Sequence, residues 1–206
     1  MSTVRTEKDS LGEIKVPADA YWGAQTQRAL DNFPVSGFRF PPVFIRSVVL
    51  IKQACAGVNK DLRLLDARMA DAIIRTCEEI AAGKFSDQFP LDIFQTGSGT
   101  STNMNVNEVI ATRTNEMLTG SRHTREPVHP NDHVNLGQSS NDVIPTAIHV
   151  AAVLHTRDTL LPALETLHTA VRNKQKNYNA LVKTGRTQAY PIDPSITEFE
   201  MARPVR

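Results

Sequence analysis

The sequence predicts a mainly α-helical protein: a small amino-terminal helical domain followed by the first long helix of an incomplete helical bundle. Three observations carry this expectation. Between the prolines at 17, 34, 41, 42, 90, 127, 130 and 145, apolar residues recur at three- and four-residue spacing, the period of a helix with one buried face. From about Asn141 the same spacing continues through Ile144, Ile148, Ala151, Leu154, Leu161, Leu164, Leu167 and Val171. That is about eight turns, or roughly 45 Å at 1.5 Å per residue, longer than a small isolated domain uses. Finally, 40% hydrophobic and 22% charged residues in a chain of 206 suffice for a core without staples.

Taken in order, a hairpin is expected near Ser10 to Val16. Short helices and extended connections should follow. Phe44, Val48, Ile51 and Cys55 form one stripe over Val43 to Lys60. Asp66 can cap a second helix carrying Met69, Ile73, Cys77 and Ile80 and ending at Gly83. A third helix spans about Ser101 to Leu118 and stops at Gly120. Pro145 fits the first turn of the long helix, and Pro162 should bend its middle. The change of character near Gln138 divides the chain into domains 1–138 and 139–206.

Composition narrows the function. With 23 basic and 22 acidic side chains and a net charge of +1, nothing favours a polyanionic partner such as nucleic acid. Cys55 and Cys77 lie in helical segments without metal-ligand spacing, which reads as buried free thiols in a reducing compartment. The polar start and the absence of a long apolar run predict a cytoplasmic protein with neither leader nor membrane span.

Two segments carry chemistry. Gly97-Ser-Gly-Thr100 lies immediately before a helix, where free backbone N–H groups and the positive end of the helix dipole favour a carboxylate or phosphate. Gly97 and Gly99 allow positive φ and close approach; Ser98, Thr100, Ser101 and Thr102 add hydroxyls, and Asn103, Asn105 and Asn107 add amides. No Gly-Lys-Ser/Thr follows, so this is no P-loop, and no third glycine makes it a dinucleotide fingerprint. Ser139-Ser-Asn-Asp142 opens the long helix and offers a second such terminus, or simply its N-cap. Two termini meeting would clamp a small anion.

His129-Pro-Asn-Asp-His133 invites a metal reading, but proline denies the two imidazoles a shared helical face. The alternative is a structured loop offering His129, Asn131 and Asp132 to an accessory anion. His123, His149, His155 and His168 read as surface or packed helix residues. Lys183-Thr-Gly-Arg-Thr187 reads as a basic turn. No cofactor or metal is expected.

Together these segments resemble a known family. Tyr21-Trp-Gly-Ala-Gln-Thr-Gln-Arg28, Gly97-Ser-Gly-Thr-Ser-Thr-Asn-Met-Asn105, Val128-His-Pro-Asn-Asp-His-Val-Asn135, Gln138-Ser-Ser-Asn-Asp142 and Lys183-Thr-Gly-Arg-Thr187 are similar, in order and spacing, to signatures of class II fumarase in the aspartase/fumarase superfamily. The resemblance covers nearly everything from Thr6 to Thr187. It implies metal-independent, reversible hydration of fumarate to malate in the citric acid cycle by a homotetramer. It also implies that Ser98, Thr100, Ser139, Ser140, Asn141 and Thr187 hold the substrate carboxylates, and that His129, Asn131 and Asp132 form a second dicarboxylate site.

Departures from the family pattern are equally specific. Gln188 stands where the resemblance implies a proton-transferring histidine, and a neutral amide is no general acid or base at pH 7. Residues 188–206 read as unlike the family, and the loop with the catalytic serine and the substrate-binding lysine and asparagine is absent. This predicts a truncated or frame-shifted fumarase without turnover of its own. Aspartate ammonia-lyase, and a non-catalytic fragment that associates with a full-length homologue, are the alternatives.

Overall fold

The structure, a computed structural model, describes residues 3–122, 126–178 and 180. Two compact units divide the chain, Met1–Leu154 and His155–Arg206. The division falls after the first turns of the long helix and not at Gln138, because Val143, Ala147 and Ala151 are buried in the first unit's core.

The first unit opens with the expected hairpin, β1 Val4–Asp9 and β2 Gly12–Pro17, antiparallel from Val4↔Pro17 to Asp9↔Gly12. Gly12, at φ +110°, closes the Ser10–Leu11 turn in a conformation that L side chains rarely adopt. Helix α1, Ala24–Asn32, was not foreseen, since its run AQTQRALDN is mostly polar and buries only Ala24, Thr26 and Ala29. Arg28 on α1 holds the hairpin through Asp9 at 2.8 and 2.9 Å and through the Gly12 carbonyl at 2.9 Å.

Helix α2, Pro42–Asp61, starts with proline at its first position, where a missing N–H costs no helical bond. Its buried face differs from the expected one. Phe44 and Val48 are buried as predicted, but Ile51 and Cys55 lie on the flank, and the face continues through Lys52, Ala56 and Asn59. Cys55 is therefore only half-buried, whereas Cys77 is fully enclosed. Asp66 caps α3, Ala67–Ala81, accepting from the Arg68 and Met69 amides at 2.9 and 3.1 Å. Ile73, Cys77 and Ile80 are buried there as expected.

Helix α4, Thr100–Thr119, runs from Gly99 to Gly120, both in the left-handed region, at φ +68° and +76°. It packs against α3 and α1, and the core gathers Val48, Val49, Ile73, Val106, Val109 and Ile110 around it. Both α2 and α4 have 20 residues and extend the expected spans, Val43 to Lys60 and Ser101 to Leu118, by one residue at each end. A wide helical turn, Pro130–Val134, leads into α5, Ser140–His155.

In the second unit a wide turn, Thr156–Leu160, is followed by α6, Leu161–Tyr178. The expected disturbance near Pro162 takes this form. Proline at 162 cannot donate to residue 158 and crowds its carbonyl, and local widening relieves both. Leu161, Leu164, Leu167 and Val171 are exposed on α6.

Candidate functional site

Asp92 and Gln95 organise the loop that leads into α4. Asp92 collects the Ser36, Gly37 and Phe94 amides at 2.6, 2.7 and 2.8 Å and the Ser36 hydroxyl at 2.9 Å. Burial pushes this carboxyl up, but the bonds from Phe94, Ser36 and Gly37 outweigh it and bring the group down to about 2. Three residues on, the Gln95 side chain donates to the Asp92 carbonyl at 2.8 Å and accepts from the Thr102 amide at 2.8 Å. Gln95 thus ties the first turn of α4 to the loop before it.

The glycine loop then lies close against α5. A Cβ on Gly99 would sit 3.0 Å from Ile144 Cγ1, so close approach and positive φ both demand glycine. With the backbones this near, the two helix starts touch through their hydroxyls: Ser98 Oγ lies 2.8 Å from Thr100 Oγ1, which lies 3.2 Å from Ser140 Oγ. The Asn141 amide donates to Ser139 Oγ at 3.2 Å, so Ser139 acts as a local cap. Ser98, Thr100 and Asn141 are exposed and Ser139 and Ser140 partly so, placing this row of hydroxyls on an open rim. Thr187 and the whole Lys183-Thr-Gly-Arg-Thr187 turn, together with Gln188 and His123, lie outside the described residues.

Behind the rim is a buried polar cluster that the periodicity reading missed. Lys52, fully enclosed, donates from Nζ to Asn135 Oδ1 and to Gln138 Oε1, both at 2.8 Å. Asn135 Oδ1 also accepts from Asn103 Nδ2 at 3.1 Å and Asn107 Nδ2 at 3.2 Å. The enclosed Asn103 Oδ1 and Asn107 Oδ1 have no hydrogen-bond partner among the described residues. Burial lowers the ammonium of Lys52 to about 7, well below the ordinary lysine value. The signal was present in the sequence: Phe44, Val48, Lys52 and Ala56 share one four-residue row, but a charged residue is passed over when only apolar positions are counted.

The second set of expected residues comes together in part. A cavity of about 480 Å³ is lined by the hairpin end Glu7 to Ser10, by Glu108 and Arg122, and by His129 and Asn131. Asp132 is not in its wall; it is exposed, with Oδ2 3.1 Å from His129 Nδ1. His133 Nδ1 accepts from the His129 amide at 2.8 Å and His129 Nδ1 from the Asp132 amide at 3.4 Å, so both imidazoles stabilise the Pro130–Val134 turn. Among the described residues no group of three or more His, Cys, Asp or Glu could hold a metal ion. His149, His155 and His168 are exposed helix residues.

Glu108, also unforeseen, is a buried residue of the cavity wall. Its carboxylate accepts from the Gly23, Gln25 and Thr26 amides at 2.9, 3.0 and 3.1 Å and from Thr26 Oγ1 at 2.6 Å. No side chain of its own caps α1, so a glutamate from α4 occupies that helix's positive end. Burial raises the Glu108 carboxyl, and the four donors act against that rise.

Comparison with known proteins agrees with these motifs. A sequence profile of the family described as Lyase matches residues 12–195. The class II fumarate hydratase of Halobacterium salinarum is 55% identical over 190 residues, which is 92% of this chain and 40% of that protein. That of Rickettsia bellii is 50% identical over 202 residues, 98% of this chain and 44% of its own length. Both matched regions run further along the chain than the sequence reading placed the end of the resemblance. Recombinant class II fumarase from Schistosoma mansoni superposes with a TM-score of 0.88 at 40% identity, covering 97% of this chain and 43% of that one. Native fumarate lyase:delta crystallin from Brucella melitensis gives 0.88 at 41% identity. This chain spans less than half the length of these relatives. On these matches the chain belongs to the lyase family, and it corresponds to the amino-terminal part of the class II fumarate hydratases.

Proposed function

We propose that this chain carries the carboxylate-binding part of a fumarate hydratase site, with Ser98, Thr100, Ser139, Ser140, Asn141 and Thr187 as the groups that hold fumarate or malate. The observation supporting this reading is the meeting of the α4 and α5 amino termini at Thr100 and Ser140. Each terminus leaves N–H groups without intrahelical partners and adds positive dipole potential, so a dianion between them gains from both. In fumarate hydration run in reverse, a base takes a proton from the carbon next to a carboxylate, and that carboxylate accumulates negative charge before hydroxide leaves with an acid's proton. Donors already aimed at the developing charge lower the barrier.

Binding and proton transfer are separable here. Gln188 offers neither acid nor base near neutral pH, and the exposed rim excludes little water. The isolated chain therefore binds dicarboxylate weakly and does not turn it over. His129, Asn131 and Asp132 are proposed as a second dicarboxylate site beside the cavity. A homotetramer of this family working in the cytoplasm on the citric acid cycle is the physiological setting proposed, with the exposed leucines of α6 available to meet other helices.

Calorimetric or NMR titration of the chain with fumarate tests the reading. The expected dissociation constant is about millimolar, equivalent to about −4 kcal/mol, with Thr100→Ala and Asn141→Ala each abolishing measurable binding. A coupled assay should show no malate formation above buffer. Turnover near that of a complete enzyme would overturn the separation of binding from proton transfer. Release of ammonia from aspartate would overturn the assignment of substrate in favour of aspartate ammonia-lyase.

A further inference from the structure

The buried Lys52 cluster connects to the rim through backbone. Its two acceptors, Asn135 and Gln138, bracket a short segment that their side chains also stitch internally. Asn135 Nδ2 donates to the Gln138 carbonyl at 3.2 Å, and Gln138 Nε2 donates to the Val134 carbonyl at 2.9 Å. Ser139 follows directly, and its carbonyl accepts the Asp142 and Val143 amides, both at 3.0 Å, that begin α5. The same ammonium is linked to α4 through Asn135, which accepts from Asn103 and Asn107. One charged group therefore sits where α2, α4 and the approach to α5 converge, linked to Asn103 three residues after Thr100 and to Gln138 two residues before Ser140.

We propose that Lys52 is a positioning residue for the anion site: by donating to Asn135 and Gln138 it fixes where the Ser139–Asn141 turn meets Thr100. This rests on the dicarboxylate reading for its functional meaning, but the positioning itself can be measured without ligand. Hydrogen bonds from a charged donor in an enclosed setting are the strong ones, and losing the charge weakens both at once. The groups facing Lys52 leave its own proton as the controlling variable. Asn103 and Asn107 on α4, and Asn135 and Gln138 beyond it, are neutral amides. Burial pushes up the thiols of Cys55 on α2 and Cys77 on α3, so both stay protonated where Lys52 titrates. Loss of the Lys52 proton near pH 7 should loosen the turn, and the rim should report it.

The test follows the Cα carbon signals of Ser139, Ser140 and Asn141 in the intact chain from about pH 6 to about pH 9, the span around this titration. Expected is a common transition with a midpoint of about 7 in the wild type, absent from both K52M and K52R, since arginine keeps its charge throughout. K52M should also weaken fumarate binding about tenfold, the effect of one lost charge-assisted hydrogen bond, and K52R should recover part of that loss. A wild-type turn that shows no transition overturns the proposal, even if K52M shifts the signals, because packing alone would do that. Should K52M fail to fold, Q138L removes one acceptor while leaving the ammonium on Asn135, and an unmoved Ser139–Asn141 turn in that variant is likewise fatal. If the wild type binds no fumarate, the dicarboxylate reading falls while the ligand-free transition still decides the role of Lys52.

Discussion

Helices α4 and α6 are nearly equal in length, yet they depend on opposite things. Twelve of the 20 residues of α4 are buried, among them Asn103, Asn105, Asn107 and Glu108, and its polar groups find partners on α1, on the 128–138 segment and on the loop before it. None of the 18 residues of α6 is buried, and Leu164, Leu167 and Val171 face solvent. Helices draw most of their stability from packing an apolar face, so α4 is defined by its surroundings and α6 rests on intrinsic propensity. A helix with a full set of neighbours can carry polar residues inside, and its start can be placed accurately enough to serve as a binding site. A helix without them shows its apolar stripe instead.

The strongest challenge to this contrast is Ile110→Ala in the middle of α4. Truncating an enclosed isoleucine should cost about 2–5 kcal/mol, read as a lower denaturant midpoint, and a loss under about 1 kcal/mol would mean α4 is looser than described. Next comes Glu108→Gln. The amide keeps one acceptor but turns a donor towards the α1 amides, so about 1–3 kcal/mol should be lost, with hydrogen exchange rising first in residues 23–28. Unchanged protection there would show that α1 does not need its borrowed cap.

A smaller effect concerns acid. Asp92 titrates at about 2 in the folded chain against 3.8 ordinarily, a depressed value, so its contribution is complete above about pH 4 and lost as pH falls through 2. Thermal midpoints measured across that window should drop in the wild type and drop less in Asp92→Asn; parallel curves would remove Asp92 from the support of the glycine loop. The smallest effect belongs to α6. Leu164→Ala should change the stability of the dilute chain by no more than about 0.5 kcal/mol, whereas a loss like that of Ile110→Ala would show that α6 is packed after all.

Several features around the site are legible in the sequence. Gly99 and Gly120 bracket α4 because only glycine enters the left-handed region without penalty, and Asp66 caps α3 because a short acceptor before an amphipathic run has few other uses. The hydroxyl-rich starts of α4 and α5 were each recognisable in the sequence, and their pairing as an anion site is the proposal made above. What could not be read was Lys52: a lysine in an apolar row looks like an interruption until its amide partners, more than eighty positions away, are brought alongside. Glu108 was hidden in the same manner, since its partners lie on α1.

The sequence by itself determined most of the helical segments other than α1, where most of them stop, and which family supplied the motifs, because period, caps and glycine conformations are local properties of the chain. Only the tertiary structure decided that Thr100 meets Ser140, that Lys52 is enclosed, and that Asp132 stands apart from the cavity wall reached by His129 and Asn131. Those outcomes depend on contacts between residues far apart in the chain, where burial and hydrogen bonding are set by neighbours that no local pattern names.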